Sequence, residues 1–314
     1  MAQAIVYTEF GAPSVLHLTD VDDPQVEPGE IVVQIEAAGV NPLDAKLRAG
    51  RRASAPLTAP RRVGFDGAGI VTQLGEGVTG FAVGDRVAIH GTVGTYATHL
   101  AVKAENATAL PDGVTAAEGA SLGIPAGTAY QSVRSLGVET GDTLLIHGGS
   151  GAVGQLAAQF AVAAGATVIV TASAARHEHM RALGAIPVTY GEGLADRVRA
   201  AAPGGVTVAL DCIGTDEAIA VSRELVADKT RIATIVRGPD AAEHGIRAFS
   251  GGSPDPLTPQ ELAWRAEAIP AAVDLIARGK LTIDFGPELP LAEAAHAHEL
   301  IEQARSGGKI ILVP

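Results

Sequence analysis

Short apolar runs separated by glycine, proline and aspartate dominate the first 120 residues of the chain. Residues 31–35 and 86–89 are two such runs, and each follows a turn signal, Pro28-Gly29-Glu30 or Val83-Gly84-Asp85. Short apolar segments bounded by turn residues are typical of β-strands. The pattern predicts a β-rich region that folds as a compact antiparallel barrel or sandwich.

The pattern changes near Leu122, where strand-like runs begin to alternate with helical stretches. The alternation predicts a parallel, doubly wound sheet flanked by helices, so the fold class is α/β. Strands are expected at residues 143–147, 167–171, 188–190, 206–211 and 231–236, and helices at 124–136, 155–164 and 177–183.

The last 50 residues differ from the alternating region. A helix is predicted at 261–278, with a kink or break at Pro270. A strand at 281–285, a helix at 291–305 and a final strand at 309–313 follow. We expect the final strand to return to the first, β-rich region.

The segment Gly149-Ser150-Gly151-Ala152-Val153-Gly154 is the strongest motif of the chain. It follows an apolar strand, opens a helix and lies about 20 residues before a second strand, which is the context of a dinucleotide-binding turn. The first glycine allows the tight turn, the second lets the backbone approach a pyrophosphate, and the third lets helix and strand pack closely. Free N–H groups at the helix start favour the phosphates. The alternative is an ordinary glycine-rich turn.

The end of the second strand distinguishes NADPH from NADH. Sites for NADH usually place Asp or Glu there to hold the ribose, but residues 171–177 contain neither. Ser173 and Arg176 can instead bind a 2′-phosphate, since the guanidinium offers a fork of donors. The alternative is a polar helix start, with Ser173 as its N-cap and Arg176 in solvent. The pattern favours NADPH.

Charge and cysteine content exclude several classes of function. The net charge is -12, which argues against a nucleic-acid partner. Two arginine pairs, 51–52 and 61–62, are local exceptions; they form either a solvated loop or a patch for an anionic substrate or the cofactor phosphates. Cys212 is the only cysteine, so an intramolecular disulfide and a cysteine-rich zinc site are excluded. No apolar run is long enough for a membrane span, and the chain is expected to be soluble and cytoplasmic.

Several segments, in order and over nearly the whole chain, resemble the medium-chain dehydrogenases/reductases of the zinc-free quinone oxidoreductase (zeta-crystallin-like) branch. They are residues 37–44 (AAGVNPLD), 64–71 (GFDGAGIV), 75–81, 83–87, 110–113, 127–130 (GTAY), the 149–154 turn, 210–214 and 308–312. The resemblance implies a GroES-like catalytic domain formed by residues 1–122 and 266–314. It also implies a Rossmann nucleotide-binding domain at 123–265, NADPH in the cleft between the domains, and a homodimer.

The resemblance also assigns roles to individual residues. Zinc-dependent relatives carry a Cys near the position of Asn41 and a His-Glu pair where this chain has Phe65 and Asp66, so no metal is expected. Asn41 is expected near nicotinamide and substrate, Thr128 against the nicotinamide, and Tyr190 near the adenosine phosphate end.

Two residues of the loop after Asn41 are further candidates for the chemistry. Asp44 is expected to orient the active-site loop, or else to be an exposed turn residue. Lys46 replaces a tyrosine common in the family, and either stabilises a developing enolate or quinol oxygen or lies in solvent.

The predicted function is transfer of a hydride from NADPH to a small quinone or α,β-unsaturated carbonyl compound. No convincing general acid is visible in the sequence, and delocalised products of this kind can take a proton from water. The alternatives are an enoyl-thioester reductase and a non-catalytic NADPH-binding sensor. A zinc alcohol dehydrogenase is disfavoured, because the residues that bind the catalytic zinc ion in such enzymes are missing.

Overall fold

The computed structural model describes residues 1–249 and 255–314, and the chain divides into two compact units. Unit 1 comprises Met1–Ile124 and Ile269–Pro314, and unit 2 comprises Pro125–Ala268. Buried apolar side chains among the described residues form one hydrophobic cluster within unit 1 and another within unit 2.

Unit 1 contains a three-stranded antiparallel sheet in the order β2-β1-β4 and a larger sheet in the order β15-β16-β3-β5-β6-β8, to which β7 adds by pairing with β3. The strands are β1 (Ala2–Tyr7), β2 (His17–Val21), β3 (Glu30–Gly39), β4 (Arg61–Arg62), β5 (Asp66–Leu74), β6 (Arg86–Ile89), β7 (His99–Lys103), β8 (Ala107–Ala109), β15 (Phe285–Pro290) and β16 (Lys309–Val313). All pairs are antiparallel except β15 with β16. The helices are α1 (Pro42–Arg48), α2 (Ala116–Gly119) and α9 (Ala294–Glu302).

Unit 2 is built on a parallel sheet in the order β11-β10-β9-β12-β13-β14. Its elements are β9 (Thr143–His147), α4 (Ala152–Ala163), β10 (Thr167–Thr171), α5 (His177–Ala182), β11 (Ile186–Val188), α6 (Leu194–Ala201), β12 (Val208–Asp211), α7 (Asp216–Leu225), β13 (Ile232–Thr234) and β14 (Arg247–Ala248). Two further helices, α3 (Gly123–Ser135) and α8 (Pro259–Ala277), contain the residues at which the chain divides. Strand β9 is wholly apolar at residues 144–146, as expected for a parallel strand buried on both faces.

The structure confirms the predicted α/β fold class, in which a β-rich unit is joined to a doubly wound parallel sheet. Some predicted boundaries are wrong. The third strand of the sheet ends at Val188, so Tyr190 lies in the loop after it, and α4 begins at Ala152 rather than Gln155. Helix α9 covers less of the chain than the predicted 291–305.

The predicted strand at 281–285 is also wrong, because β15 runs from Phe285 to Pro290. The sequence FGPELP contains one glycine and two prolines, which weaken a strand prediction. Prolines are tolerated because β15 is an edge strand of its sheet. Gly286 is required because a Cβ there would overlap the backbone of Ser306 and Gly308.

Helix α8 continues through Pro270 instead of breaking there. Proline removes the hydrogen bond to the carbonyl four residues earlier, here that of Ala266. Both residues are exposed, so water can satisfy that carbonyl. Within the described ranges, no helix combines the length and the apolar composition that crossing a membrane requires.

Candidate functional site

The glycine motif of unit 2 forms the turn between β9 and α4, at the carboxyl end of the sheet. The N–H groups of Gly148 and Gly149 donate to Thr171 Oγ1 and to the Thr171 carbonyl, each over 3.0 Å, which ties the turn to the end of β10. The residue with a left-handed backbone is Gly148, with φ of +75°. The tight turn therefore depends on Gly148, which precedes the motif, and the prediction that Gly149 provides it is wrong.

Each motif glycine meets a different environment. A Cβ on Gly149 would lie 2.5 Å from Val170 Cβ, and one on Gly154 would lie 2.9 Å from Gly149 Cα. Gly149 is therefore needed for close packing of the turn against β10, and Gly154 for close packing of α4 against the turn. A Cβ on Gly151 would meet only the Gly148 carbonyl oxygen, at 3.5 Å. The space beside Gly151 is open, as a backbone that receives a ligand requires.

Gly151 occupies the N-cap position before Ala152, the first residue of α4, so this helix start has no capping side chain. By contrast, Thr115 and Thr215 cap α2 and α7 through their hydroxyl groups. The first N–H groups of a helix have no partner within the helix, and together with the helix dipole they attract an anion. The residues Ser150, Ala152 and Val153 are partly or fully exposed at this helix start. The turn is therefore suited to binding phosphate oxygens through its backbone.

Ser173, Arg176 and Tyr190 lie in the loops that follow β10 and β11. Ser173 is the N-terminal residue of a short 3-10 helix, but its side chain does not cap that helix. The ring of His177 is 3.3 Å from the Ala172 carbonyl and 3.4 Å from Thr189 Oγ1, which links the two loops. Tyr190 is 57% exposed. Because the carboxyl ends of parallel strands share one edge, all three residues belong to the edge that carries the glycine turn.

Thr128 is buried in α3, where its Oγ1 accepts a hydrogen bond from Arg265 Nη2 over 3.3 Å. The nearby Tyr130 packs edge-on against Phe160, with ring centroids 5.2 Å apart. This ring contact gives Tyr130 a packing role in unit 2.

Unit 1 contains a buried polar cluster assembled from four parts of the chain. It consists of Asn41, Asp44, Asp66, Tyr96 and Lys309, which we call the unit 1 polar cluster, and each residue is at most 5% exposed. Asn41 and Asp44 come from the start of α1, Asp66 from the start of β5, Tyr96 from the segment before β7, and Lys309 from the start of β16.

Asn41 is the centre of the unit 1 polar cluster. Its Nδ2 donates to Asp66 Oδ2 over 2.9 Å, and its Oδ1 accepts from Lys309 Nζ over 2.7 Å. Lys309 Nζ also lies 3.4 Å from Asp66 Oδ2, and the other Asp66 oxygen accepts from the Ile124 N–H over 2.8 Å. Burial lowers the pKa of Lys309 despite the nearby carboxylates. A buried lysine and aspartate thus hold the amide of Asn41 in one orientation.

Helix α1 begins with Pro42 after the N-cap residue Asn41, and Asp44 is its third residue. Proline at the first position and an acidic residue at the third are common at helix starts. Asp44 Oδ2 accepts from the Asn41 N–H over 2.8 Å and from the Tyr96 hydroxyl over 3.1 Å. Burial, followed by the charge of Asp66, raises the pKa of Asp44 to about 7. The alternative of an exposed turn residue is therefore wrong, because Asp44 is 1% exposed.

A cavity of about 400 Å³ lies beside Asp44 within unit 1. Its wall is mostly apolar side chains, and it is lined by Tyr7, Asp44, Leu47, Ser54, Ala55, Arg61, Arg62, Val63, Gly64, Phe65 and Val93. Arg61 donates to Ser54 Oγ over 3.0 Å and to the carbonyls of Ala55 and Pro56. The volume of this cavity falls within the range of small-molecule binding sites. The pair 61–62 is thus part of a strand and of a cavity wall rather than a solvated loop.

Lys46 lies outside this arrangement. Its side chain is exposed on α1, and it does not line the cavity, whereas the next residue, Leu47, does. Sequence reasoning missed Tyr96 and Lys309 as members of the site. Lys309 carries the one visible signal, since it is a charged residue at the start of an otherwise apolar strand, KIILV.

Family models match two parts of the chain, and both describe dehydrogenases. The alcohol dehydrogenase GroES-like domain matches residues 27–112, and the zinc-binding dehydrogenase model matches residues 183–312. Among the described residues, no group of three or more His, Cys, Asp or Glu side chains is arranged to hold a metal ion. The fold, the glycine turn and these matches define a dehydrogenase of the medium-chain, GroES-like type.

Relatives over the whole length of the chain narrow this class. The chain is 31% identical to a quinone oxidoreductase of Pseudomonas aeruginosa, with both sequences fully covered. Its fold matches the crystal structure of a quinone oxidoreductase from Pseudomonas syringae pv. Tomato, with a TM-score of 0.85, 30% identity and full coverage of both chains. It also matches Escherichia coli quinone oxidoreductase complexed with NADPH, with a TM-score of 0.83, 26% identity and coverage of 99% and 100%. The chain belongs to the quinone oxidoreductase family of enzymes.

Proposed function

We propose that this protein is an NADPH-dependent, zinc-independent oxidoreductase that transfers a hydride to a quinone or an α,β-unsaturated carbonyl compound. The observation that carries the proposal is the start of α4, which has no capping side chain and which follows Gly151, a residue with open space beside its Cα atom. A backbone turn of this shape at the carboxyl end of a parallel sheet is suited to a dinucleotide. When bound, the reduced nicotinamide supplies the hydride.

Unit 2 offers the groups that NADPH needs. The N–H groups at the start of α4 would hold the pyrophosphate, and the residues of the 149–154 turn would line it. Ser173 and Arg176 would contact the 2′-phosphate, since residues 171–177 contain no carboxylate that would repel it. We assign Tyr190 to the adenosine phosphate end, and Thr128 and Asn41 to the nicotinamide.

Unit 1 offers a place for the acceptor. The apolar cavity of about 400 Å³ is large enough for a benzoquinone, a naphthoquinone or an enal. Asp44 in its wall provides a polar group, and Asn41 lies directly behind it. Positioning and hydrogen bonding by these residues would replace the work of a Lewis acid.

The unit 1 polar cluster also supports zinc independence. The ammonium of Lys309 contacts both Asn41 Oδ1 and Asp66 Oδ2. These two oxygens are thus already engaged by a buried cation, and a metal ion beside it would be repelled. The residues present therefore do not fit a catalytic zinc ion.

The first test is NADPH oxidation with four acceptors: a benzoquinone, a naphthoquinone, an enal and an enoyl-CoA, with metal analysis of the purified protein. Turnover of the quinones or the enal without bound zinc is expected. Turnover restricted to the enoyl-CoA would replace the proposal by an enoyl-thioester reductase. Tight NADPH binding without any turnover would replace it by a non-catalytic sensor.

The cofactor preference is tested on the double variant Ser173→Ala/Arg176→Gln, with Arg181→Gln on the exposed side of α5 as the matched control. Loss of charge-assisted hydrogen bonds should weaken NADPH binding by about tenfold or more. Binding of NADH, which lacks the 2′-phosphate, should not change. Equal kcat/KM values for NADPH and NADH in the unaltered protein would contradict the assignment. The homodimer, the cytoplasmic location and the absence of a nucleic-acid partner stay predictions.

A further inference from the structure

Hydride transfer to a neutral acceptor leaves a negative charge on the product. A quinone or enone that accepts a hydride becomes a quinolate or an enolate, and a proton is needed to form the neutral product. Water is one source of that proton. The wall of the unit 1 cavity, however, contains the carboxyl group of Asp44, which accepts two hydrogen bonds on one oxygen and none on the other.

The two donors that reach Asp44 both bind the same oxygen. Oδ2 accepts from the Asn41 N–H and from the Tyr96 hydroxyl. Oδ1 is buried and has no hydrogen-bond partner among residues 1–249 and 255–314. When Asp44 is protonated, the proton therefore belongs on Oδ1, because Oδ2 is occupied as an acceptor. A buried O–H group without an acceptor is costly, so a negatively charged oxygen brought within hydrogen-bond distance of Oδ1 would relieve that cost.

We propose that Asp44 is the proton donor of the reaction and delivers the proton from Oδ1 to the reduced acceptor in the unit 1 cavity. The proposal rests on the proposed function. The O–H bond of Asp44 breaks, and an O–H bond of the quinol, or a C–H bond at the α-carbon of the enolate, forms. The hydride has already supplied both electrons, so the step is a proton transfer alone. Asp44 remains as a carboxylate and recovers its proton from water.

The surroundings of Asp44 support both of its protonation states. Burial and the charge of Asp66 on β5 favour the acid, and they raise its pKa to about 7, near the pH at which a general acid works best. The Asn41 N–H, the Tyr96 hydroxyl and the charge of Lys309 on β16 favour the carboxylate left after transfer. The other charged groups nearby are Arg61 and Arg62 of β4 in the same cavity wall and Arg48 and Lys46 on its own helix. His298 of α9, a titratable group with a neutral ring, packs against Tyr96.

The test compares Asp44→Asn with the unaltered protein on two acceptors. An enal needs a proton on carbon, whereas a quinone with electron-withdrawing substituents leaves as a stable quinolate. Loss of a general acid should lower kcat for the enal by about 100-fold or more, and should change kcat for the quinone by only a few fold. Asp85→Asn, a change of the same size in a surface turn, is the control. Equal loss on both acceptors, or no loss on the enal, would overturn the proposal, whereas a wild-type protein inactive on every acceptor would overturn the proposed function instead.

Two further measurements separate proton donation from a structural role. In the unaltered protein, kcat/KM for the enal should fall as pH rises through about 7, because Asp44 loses its proton, and Asp44→Asn should lack this limb. Infrared difference spectra of the unaltered protein between about pH 6 and about pH 9, recorded without cofactor or acceptor, should show the carbonyl band of a protonated carboxyl group at the lower pH only. The same spectra of folded Asp44→Asn should lack this band. A missing band at the lower pH would contradict the proposal even if the variant failed to fold.

Discussion

The two units of this protein carry candidate sites built from different parts of the polypeptide. In unit 2, the glycine turn presents backbone N–H groups, and its side chains are almost absent. In unit 1, the cavity wall and the polar cluster behind it are made of side chains, among them two buried carboxyl groups and a buried lysine.

This difference determines how each site responds to substitution. A backbone site depends on whether a Cβ fits, so its sensitivity varies from one glycine to the next. A cluster of buried charges depends on every partner, because removal of one leaves another charge without compensation. We therefore expect the larger losses of stability in unit 1.

The largest effect is expected for Lys309→Met. The variant leaves the Asp66 carboxylate buried without its ammonium partner, which should lower the free energy of unfolding by about 3–5 kcal/mol. Arg231→Met in unit 2 is the comparison, since Asp142 keeps hydrogen bonds from Thr207 and from the Glu139 N–H, and the Arg231 side chain is 28% exposed. Its effect should be less than half as large.

Urea unfolding followed by circular dichroism measures the loss, and fluorescence of Trp264, the only tryptophan, reports on unit 2 separately. The double variant Lys309→Met/Asp66→Asn should recover a large part of the loss, because neither position of the former ion pair then carries a buried charge. A loss at Lys309 no greater than that at Arg231 would contradict the comparison.

The contrast between the units also explains what the sequence could predict. The glycine turn is contiguous, and its six residues carry the signal of a strand, a turn and a helix together. The unit 1 polar cluster joins residues up to 268 positions apart, so no local pattern brings Asn41 next to Lys309. The position of the turn and its dinucleotide-binding type were therefore predictable. The role of Gly148 was missed, because the sequence does not show which glycine of a glycine-rich turn has a left-handed φ.

The α/β fold class was predictable for the same reason, since strand and helix periodicity are local. The edge strand β15 was missed because its glycine and prolines hide a pairing that the partner strand β16 determines. For Asp44, the sequence supplied the residue but not its burial, and the burial changes its acidity.

The second prediction separates packing from binding within the glycine turn. Gly149→Ala brings a Cβ within 2.5 Å of Val170 and should cost about 1–3 kcal/mol of stability. Gly151→Ala meets only one atom, at 3.5 Å, so its stability should change little, but the added methyl group lies where the pyrophosphate would approach. NADPH binding should weaken by about tenfold, equivalent to about 1.4 kcal/mol. Calorimetric titration and urea unfolding of both variants measure the two effects, and equal losses of stability would contradict the distinction.

The third prediction concerns acid sensitivity in unit 1. His298 is fully buried, neither ring nitrogen has a hydrogen-bond partner in the described chain, and burial together with the charge of Arg48 lowers its pKa to about 3. The folded state therefore holds the neutral ring, and the stability that this provides is present above the unfolded pKa of 6.5 and is lost as pH falls below it.

Between about pH 6.5 and 5, His298 alone should account for a loss of about 2 kcal/mol. His298→Leu should remove that loss and should leave stability at neutral pH unchanged or higher, because no polar ring remains unpaired. His147 in unit 2, with a pKa lowered to about 4, titrates in both proteins and serves as the internal reference. Parallel pH profiles of the two proteins, from urea midpoints, would contradict this assignment.

The smallest effect is expected at Lys46, where the resemblance to the family and the structure point in different directions. The resemblance predicts a substrate-side role at this position, yet the Lys46 side chain is exposed and does not line the cavity. Exposed substitutions of this kind usually change stability by less than about 0.5 kcal/mol. We expect Lys46→Ala to change kcat/KM for the best acceptor by less than about twofold. A tenfold decrease at unchanged stability would show that Lys46 reaches the reduced acceptor during turnover, and the acceptor site would then extend beyond the cavity beside Asp44.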